Sequence, residues 1–298
     1  MPEDHYAIRF GIPPANTAHI QRKMLDSPYA SRSPAQKLDI YWPEQGSGPF
    51  PVILSIHGGA FMGGDKADIQ LTPMLAGLSR GYALVSINYR MSGEARFPAL
   101  VQDVKAAIRW IRAHAGQFGL DAQKIAAWGG SAGGYQAAMA GVSAGIEELD
   151  DLSLGNPDQP CHVQAVVDWF GPTDFLQMDA QLAEAGLPPQ PGQEHSGANS
   201  PESLLLGAKI TAIPLRVRAA NPESYIRPGL PPFLLQHGTL DDTVPCLQSV
   251  RFAEKLAAVP DNAGVTLDLL EGAGHADALF GAPENLERVF QFLDRHLQ

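Results

Sequence analysis

Apolar residues along this chain fall into short continuous runs set between longer amphipathic stretches. "VILSIHGGAFMGG" opens with such a run at Val52, and "YALVSINYR" (Tyr82 to Arg90), "KIAAW" (Lys124 to Trp128), "VQAVVDWFG" (Val163 to Gly171), "PPFLLQHG" (Pro231 to Gly238) and "VTLDLLEG" (Val265 to Gly272) repeat the form. Each is of strand length and several end in glycine, as expected for strands buried on both faces. "KLDIYWP" (Lys37 to Pro43) instead alternates apolar with polar residues, the mark of a half-buried strand. Between these runs the period changes. From Phe97 to Phe118, residues Val101, Val104, Ala107, Ile108 and Ile111 share one helical face, and helices are also predicted at Ile69 to Arg80, Cys246 to Val259 and through the C-terminal "ENLERVFQFLDRHLQ".

Strands alternating with helices predict an α/β fold: a mostly parallel central sheet flanked by helices on both faces, with functional groups in loops at the carboxyl ends of the strands. Residues 1–36 read as an N-terminal arm or irregular helix, and 37–298 as the main domain. Two segments lack sheet-like pattern. Residues 172–230 are rich in proline and glycine ("GLPPQPGQEHSGANS"), and residues 141–160 are similar. Both are expected to form a small cap over the active face, since long unpatterned insertions are usually functional loops.

Composition narrows the partners. The formal charge of −11 disfavours nucleic acid as a ligand. No apolar run is long enough to span a bilayer, and "MPEDHYAIRF" lacks the basic and apolar segments of an export signal, so a cytoplasmic protein without membrane attachment is expected. Two cysteines, Cys161 and Cys246, provide no disulfide framework and are expected as buried or half-buried thiols. No His/Cys cluster suggests a metal, and no cofactor is expected. The pattern marks no subunit interface.

The chemistry concentrates in "WGGSAGGYQAAMA" (Trp128 to Ala140). Ser131 stands between a strand-like run and an alanine-rich helix, with Gly129, Gly130, Gly133 and Gly134 around it. A nucleophilic serine on a strained strand-to-helix turn needs neighbours without a Cβ, because the turn packs tightly on the sheet. The helix N-terminus beside it favours developing negative charge. An activated serine needs a base and the base an orienter. His275, in "EGAGHADALF", follows the last predicted strand, while "LLQHGTLDDTVP" offers Asp241 and Asp242 after the strand before, of which one can orient the histidine. The order Ser, Asp, His accompanies this kind of turn in α/β sheets. In "HGGAFMGGDK", Gly58 and Gly59 can turn their N–H groups toward a carbonyl oxygen, joined by the amide of Ala132, and His57 is read as a brace of that loop. Phe61, Met62, Trp169, Phe170 and Phe175 are candidates for lining a substrate pocket.

"HGGAF", "GGSAGG", "DWFGPTDF", "PPFLLQHGTLDDTVP" and "GAGH" together resemble the α/β-hydrolase superfamily, and in particular bacterial esterases related to hormone-sensitive lipase and to carbohydrate and feruloyl esterase domains. The resemblance runs from about Lys37 to the C-terminus. It implies Ser131 as nucleophile, Asp241 and not Asp242 as the acid, His275 as base, and Gly58 and Gly59 as the oxyanion loop. Ala60 stands where many relatives of hormone-sensitive lipase have a third glycine. Thr173 and Asp174 look structural or pocket-lining, with Asp174 read from its chemistry as a turn or capping residue. The implied function is a serine carboxylesterase acting on short-acyl, carbohydrate-linked or hydroxycinnamoyl esters. An amidase, formamidase or peptidase would use the same four parts, though the peptidases bearing the "HG..D..VP" segment carry a further propeller-sized domain for which this length leaves no room.

Overall fold

The computed structural model describes residues 11–189, 191–262 and 264–298, so the opening "MPEDHYAIRF" lies outside the described residues. The apolar runs form a single eight-stranded sheet: β1 (Lys23–Pro28), β2 (Lys37–Tyr41), β3 (Phe50–Ile56), β4 (Ala83–Ile87), β5 (Leu120–Gly130), β6 (Ala165–Trp169), β7 (Phe233–Gly238) and β8 (Val265–Leu270), in spatial order β1-β2-β4-β3-β5-β6-β7-β8. From β4 to β8 all neighbours are parallel, while β1 and β2 pair antiparallel at one edge. This is the α/β-hydrolase fold.

Alternation along each strand divides the core in two. Val52, Leu54 and Ile56 of β3, with Ile125 and Ala127 of β5, face the layer made by the Ala99–Phe118, Ala132–Val142 and Leu247–Ala257 helices. Ile53, Ala126 and Trp128 face the opposite layer, built from the helical turns between Ile69 and Arg80 and the Pro283–Leu297 helix. Being buried on both sides is what makes these strands continuously apolar.

β1 was not expected: the arm over 1–36 contributes an edge strand. "KMLDSP" is half exposed and carries no apolar alternation; it is held by backbone pairing to β2 and by the Asp26 N–H, which donates to Asp39 Oδ1 at 2.7 Å. The 141–160 stretch also lies elsewhere than read. Residues 141 and 142 complete the Ala132–Val142 helix, and the chain then leaves from that helix's far end toward the start of β6. There Arg109 pairs with Asp150, and Lys105 Nζ donates to the Ser143 carbonyl at 2.7 Å, so the stretch is fastened to the Ala99–Phe118 helix. The 172–230 segment does follow the carboxyl end of β6 and supplies the helical cap, with short helices at Met178–Glu184, Pro201–Leu206 and Pro214–Ala220. Among the described residues no helix is long and apolar enough to cross a membrane.

One buried ion cluster links the loop after β3 to the antiparallel edge. Lys66 Nζ lies 2.8 Å from Asp26 Oδ1 and 3.0 Å from Asp39 Oδ1, with the Lys66 and Asp39 side chains only 8% and 2% exposed. The loop backbone is tied to β4 as well, since Ser86 Oγ donates to the Lys66 carbonyl and the Lys66 N–H to Asn88 Oδ1, both at 2.7 Å. Removing one partner of such a pair strands a buried charge. Lys66→Met is expected to cost about 3–5 kcal/mol in denaturant unfolding, and adding Asp39→Asn should recover much of it; equal losses in the single and double variants would contradict this account.

Candidate active site

β5 is central, between β3 and β6, and its last residues pair with both: Gly129 opposite Ile56 and Gly130 opposite Trp169. The chain then turns sharply into the Ala132–Val142 helix at Ser131, whose backbone sits at φ 56°, ψ −124°. A non-glycine residue in that region is strained and persists only where its surroundings over-determine it. Here the Ser131 N–H donates to the Trp169 carbonyl at 2.8 Å, and its carbonyl accepts the Tyr135 N–H at 2.9 Å. The glycines make room. A Cβ on Gly133 would collide with the Ile56 carbonyl oxygen, and one on Gly134 with Asp168 Oδ1. Asp168, which the sequence reading did not single out, is fully buried below the turn; Oδ1 accepts the Gly171 N–H at 2.9 Å, and burial pushes its carboxyl up to about 7.

Three groups meet above the turn. His275 Nε2 lies 3.0 Å from Ser131 Oγ, and its Nδ1 lies 2.8 Å from Asp241 Oδ2. The His275 side chain is 20% exposed and that of Asp241 is fully buried. Asp241 Oδ1 accepts the N–H groups of Thr243 (2.9 Å) and Val244 (2.8 Å), and His237 Nε2 stands 3.3 Å from Oδ2. Burial alone would raise this carboxyl, but hydrogen bonds from His237 and His275 outweigh it and hold Asp241 well below the usual carboxylate range. Asp242 has no place in this contact; its Oδ1 is near only the Thr243 hydroxyl, at 3.5 Å.

The oxyanion loop departs from the reading in one respect. The Gly58 N–H donates to Gln70 Oε1 at 2.9 Å and so is not free to meet a substrate oxygen. Gly58 is buried whereas Gly59 and Ala60 are half-exposed, and among the described residues no acceptor takes the N–H of Gly59, Ala60 or Ala132. His57 braces the loop as expected: Nδ1 donates to the Gly58 carbonyl at 2.8 Å, and the ring stacks on Tyr89 at 4.6 Å.

The aromatic candidates separate. Trp169 points away from the site, packing edge-on to Trp128 at 5.0 Å with Nε1 donating to Gln236 Oε1 at 2.7 Å; it belongs to the core facing the C-terminal helix. Phe170, just past the end of β6, belongs to the same cluster but sets its ring 4.9 Å from that of His275 and 4.5 Å from that of Phe280. Phe61 and Phe175 are buried against Tyr135, both at 5.3 Å, beneath the oxyanion loop. Met62 is half-buried at that loop's end. Thr173 and Asp174 are structural: Gln248 Oε1 accepts both N–H groups, and Asp174 Oδ1 accepts the Leu176 N–H and the Asn221 amide. Cys161 is buried beside Asp150, Cys246 is half-buried, and both are free thiols.

The family model described as BD-FAE matches residues 38–256. The chain belongs to the BD-FAE family. A second model, the prolyl oligopeptidase family, matches residues 216–298. Esterase LipC of Mycobacterium tuberculosis is 33% identical over 264 residues, which are 83% of this chain and 62% of LipC. The chain spans 46% to 62% of the length of the first curated relatives it matches. Among solved structures, a truncated carbohydrate esterase from gut microbiota superposes with a TM-score of 0.83 at 29% identity, covering 95% of this chain and 99% of that one. Thermogutta terrifontis esterase 2 phosphonylated by sarin gives a TM-score of 0.71 at 28% identity, covering 93% and 95%.

In this BD-FAE chain the cap is latched to the acid loop by His195. Its Nε2 faces the Thr243 carbonyl at 2.8 Å, and its Nδ1 lies 3.1 Å from Glu202 Oε1. Burial disfavours charge on this ring, but the Glu202 carboxylate, the Thr243 carbonyl and Asp179 outweigh it and raise His195 above 6.5. A raised histidine contributes stability that is present below its unfolded value and lost as pH rises through its folded one. His195→Gln should therefore cost about 1.5–3 kcal/mol near pH 6 and much less near pH 9. Denaturant unfolding at both pH values checks this, and a gap that widens with pH would refute it.

Proposed function

We propose that this chain is a serine carboxylesterase working through an acyl-enzyme, with Ser131 as nucleophile, His275 as base and Asp241 as orienter. The observation that carries this reading is the continuous contact from Asp241 through His275 to Ser131 Oγ, at 2.8 and 3.0 Å, on a strained and partly accessible turn. Asp241 Oδ2 accepts a hydrogen bond from His275 Nδ1–H, which leaves the Nε2 lone pair facing the serine hydroxyl. As Oγ attacks the ester carbonyl its proton passes to Nε2, and the oxyanion collects on the amides of Gly59 and Ala132. His275 returns the proton to the departing alkoxide oxygen. Water then enters, gives a proton to Nε2, and releases the acid by the same route.

The relatives, an esterase, a carbohydrate esterase and an esterase that sarin phosphonylates, support ester hydrolysis. Acylated sugars are the substrate class we favour, on the strength of the gut carbohydrate esterase likeness, and hydroxycinnamoyl esters rest on the feruloyl-esterase resemblance of the sequence. One observation favours amide hydrolysis as a second reading: the prolyl oligopeptidase match includes both Asp241 and His275.

A fluorophosphonate should label the protein, and Ser131→Ala should abolish labelling; labelling that persists in the variant would remove Ser131 from the proposal. Asp241→Asn should lower kcat by about 10⁴-fold, whereas Asp242→Asn should leave it within about threefold. Comparable losses would misplace the acid. A panel of p-nitrophenyl acetate, acetylated sugars and feruloyl esters, set against matched anilide and N-formyl substrates, separates the two readings. Faster turnover of the amides would favour the second.

A further inference from the structure

The oxyanion loop contains a glycine whose amide serves something other than substrate. We propose that Gln70, oriented by Asp68, is a positioning residue: it holds the peptide before Gly58 so that the next amide, Gly59, faces the ester carbonyl. The inference rests on the esterase reading and deepens it by naming what aims the oxyanion donors.

In a trans peptide the C=O and the following N–H point in opposite directions, so holding one end of the plane aims the other. Two successive planes are held here. The His57–Gly58 plane is gripped from both sides: Tyr89 Oη donates to the His57 carbonyl at 2.8 Å, and the Gly58 N–H donates to Gln70 Oε1 at 2.9 Å. The Gly58–Gly59 plane is held by His57 Nδ1 on the Gly58 carbonyl, which leaves the Gly59 N–H on the opposite side. Glycine's wide conformational range makes such holding necessary. The loop just beyond is strained as well, with positive φ at Gly59 (119°), Ala60 (53°) and Phe61 (61°).

The direction of the Gln70 amide is not free. Its Nε2 donates to Asp68 Oδ2 at 3.0 Å, and a carboxylate cannot face Oε1 in that place, so Oε1 must face Gly58. Asp68 is itself buried and fixed: Oδ1 accepts the Gln70 N–H at 2.9 Å and Oδ2 the Asp65 N–H at 3.0 Å. The space is tight, since a Cβ on Gly58 would stand 2.9 Å from Gln70 Oε1 and 3.3 Å from Ser131 Cβ.

The test is Gln70→Leu, which keeps bulk and removes both hydrogen bonds. Losing a direct oxyanion donor costs about 10²–10³-fold in kcat, so misaiming one should cost about 10-fold or more, with KM within about twofold and the fluorophosphonate labelling rate falling in step. A wild-type kcat, or a loss confined to KM, overturns the proposal. Gln70→Ala, which removes the same two hydrogen bonds without placing an apolar branch against the loop, should lose kcat to the same extent, and a wild-type kcat in it overturns the proposal where Gln70→Leu does not fold. A measurement without turnover separates this inference from the esterase reading. Hydrogen–deuterium exchange of the peptide spanning residues 57–61 should quicken about 10-fold in Gln70→Leu, with the remainder unchanged. Unchanged exchange overturns the positioning role even if the wild type hydrolyses no ester.

Discussion

The Ala132–Val142 helix is pressed against the end of β3. Gly133 lies so near the Ile56 carbonyl that no side chain fits, and a Cβ on Gly129 would collide with the Gly133 carbonyl. This contact bends β5 back into a helix within a single residue. It forces Ser131 into a backbone region that only surrounding structure can impose, and it brings the start of the helix beside the oxyanion loop. Positive φ recurs around the same point, at Ala60, Phe61, Phe170 and Ala276. With Ser131 these make five of the eight non-glycine residues at positive φ among the described residues, a gathering that marks where rigid elements hold groups apart from their preferred geometry.

Rigidity is supplied on both flanks by groups that do not meet the substrate. On one side Asp241 is fixed by two backbone amides, by His275 and by the nearby His237, which in turn bonds the Val244 carbonyl at 2.8 Å. With that many donors around it, the carboxylate stays ionised in a fully buried site, which is the condition for stabilising an imidazolium beside it. On the other side Asp68, Gln70, Tyr89 and His57 hold the oxyanion loop. Asp168, its carboxyl pushed up by burial to about 7, lies beneath the turn between them. Ser131 is therefore suspended between two polar braces anchored on different strands, β7 on one side and β3 with β4 on the other.

The layered sheet was legible because strands buried on both faces announce themselves as apolar runs, and because glycines and polar residues cluster at their ends. The contact of Ser131, Asp241 and His275 follows from that order. What escaped had physical reasons. β1 is held by backbone pairing at a wet edge and leaves no apolar signature. The 141–160 stretch has the composition of a cap, and only its attachment to the far end of a helix shows that it belongs to the opposite rim. Trp169 closes β6, whereas Phe170 lies just beyond it with a left-handed backbone at φ 45°, which no strand period predicts. The partner of the Gly58 amide is a lone glutamine twelve residues on, in the helical turn after Asp68, and a helical pattern there does not reveal which backbone group its side chain meets.

The two family matches divide the site in an informative way. The prolyl oligopeptidase likeness begins at residue 216, so it includes the acid loop and the base loop but excludes Ser131, the oxyanion loop and most of the cap. The BD-FAE match, over 38–256, takes in the nucleophile, the oxyanion loop, the acid loop and the entire cap. Holding a histidine against a buried carboxylate is the same physical task whether the bond to be broken is an ester or an amide. In the proposed mechanism the groups that meet the acyl carbon and its oxyanion are Ser131 and the amides of Gly59 and Ala132, and these lie on the part shared with BD-FAE alone. The peptidase likeness therefore bears on how the proton is handled, and the esterase likeness on what is attacked.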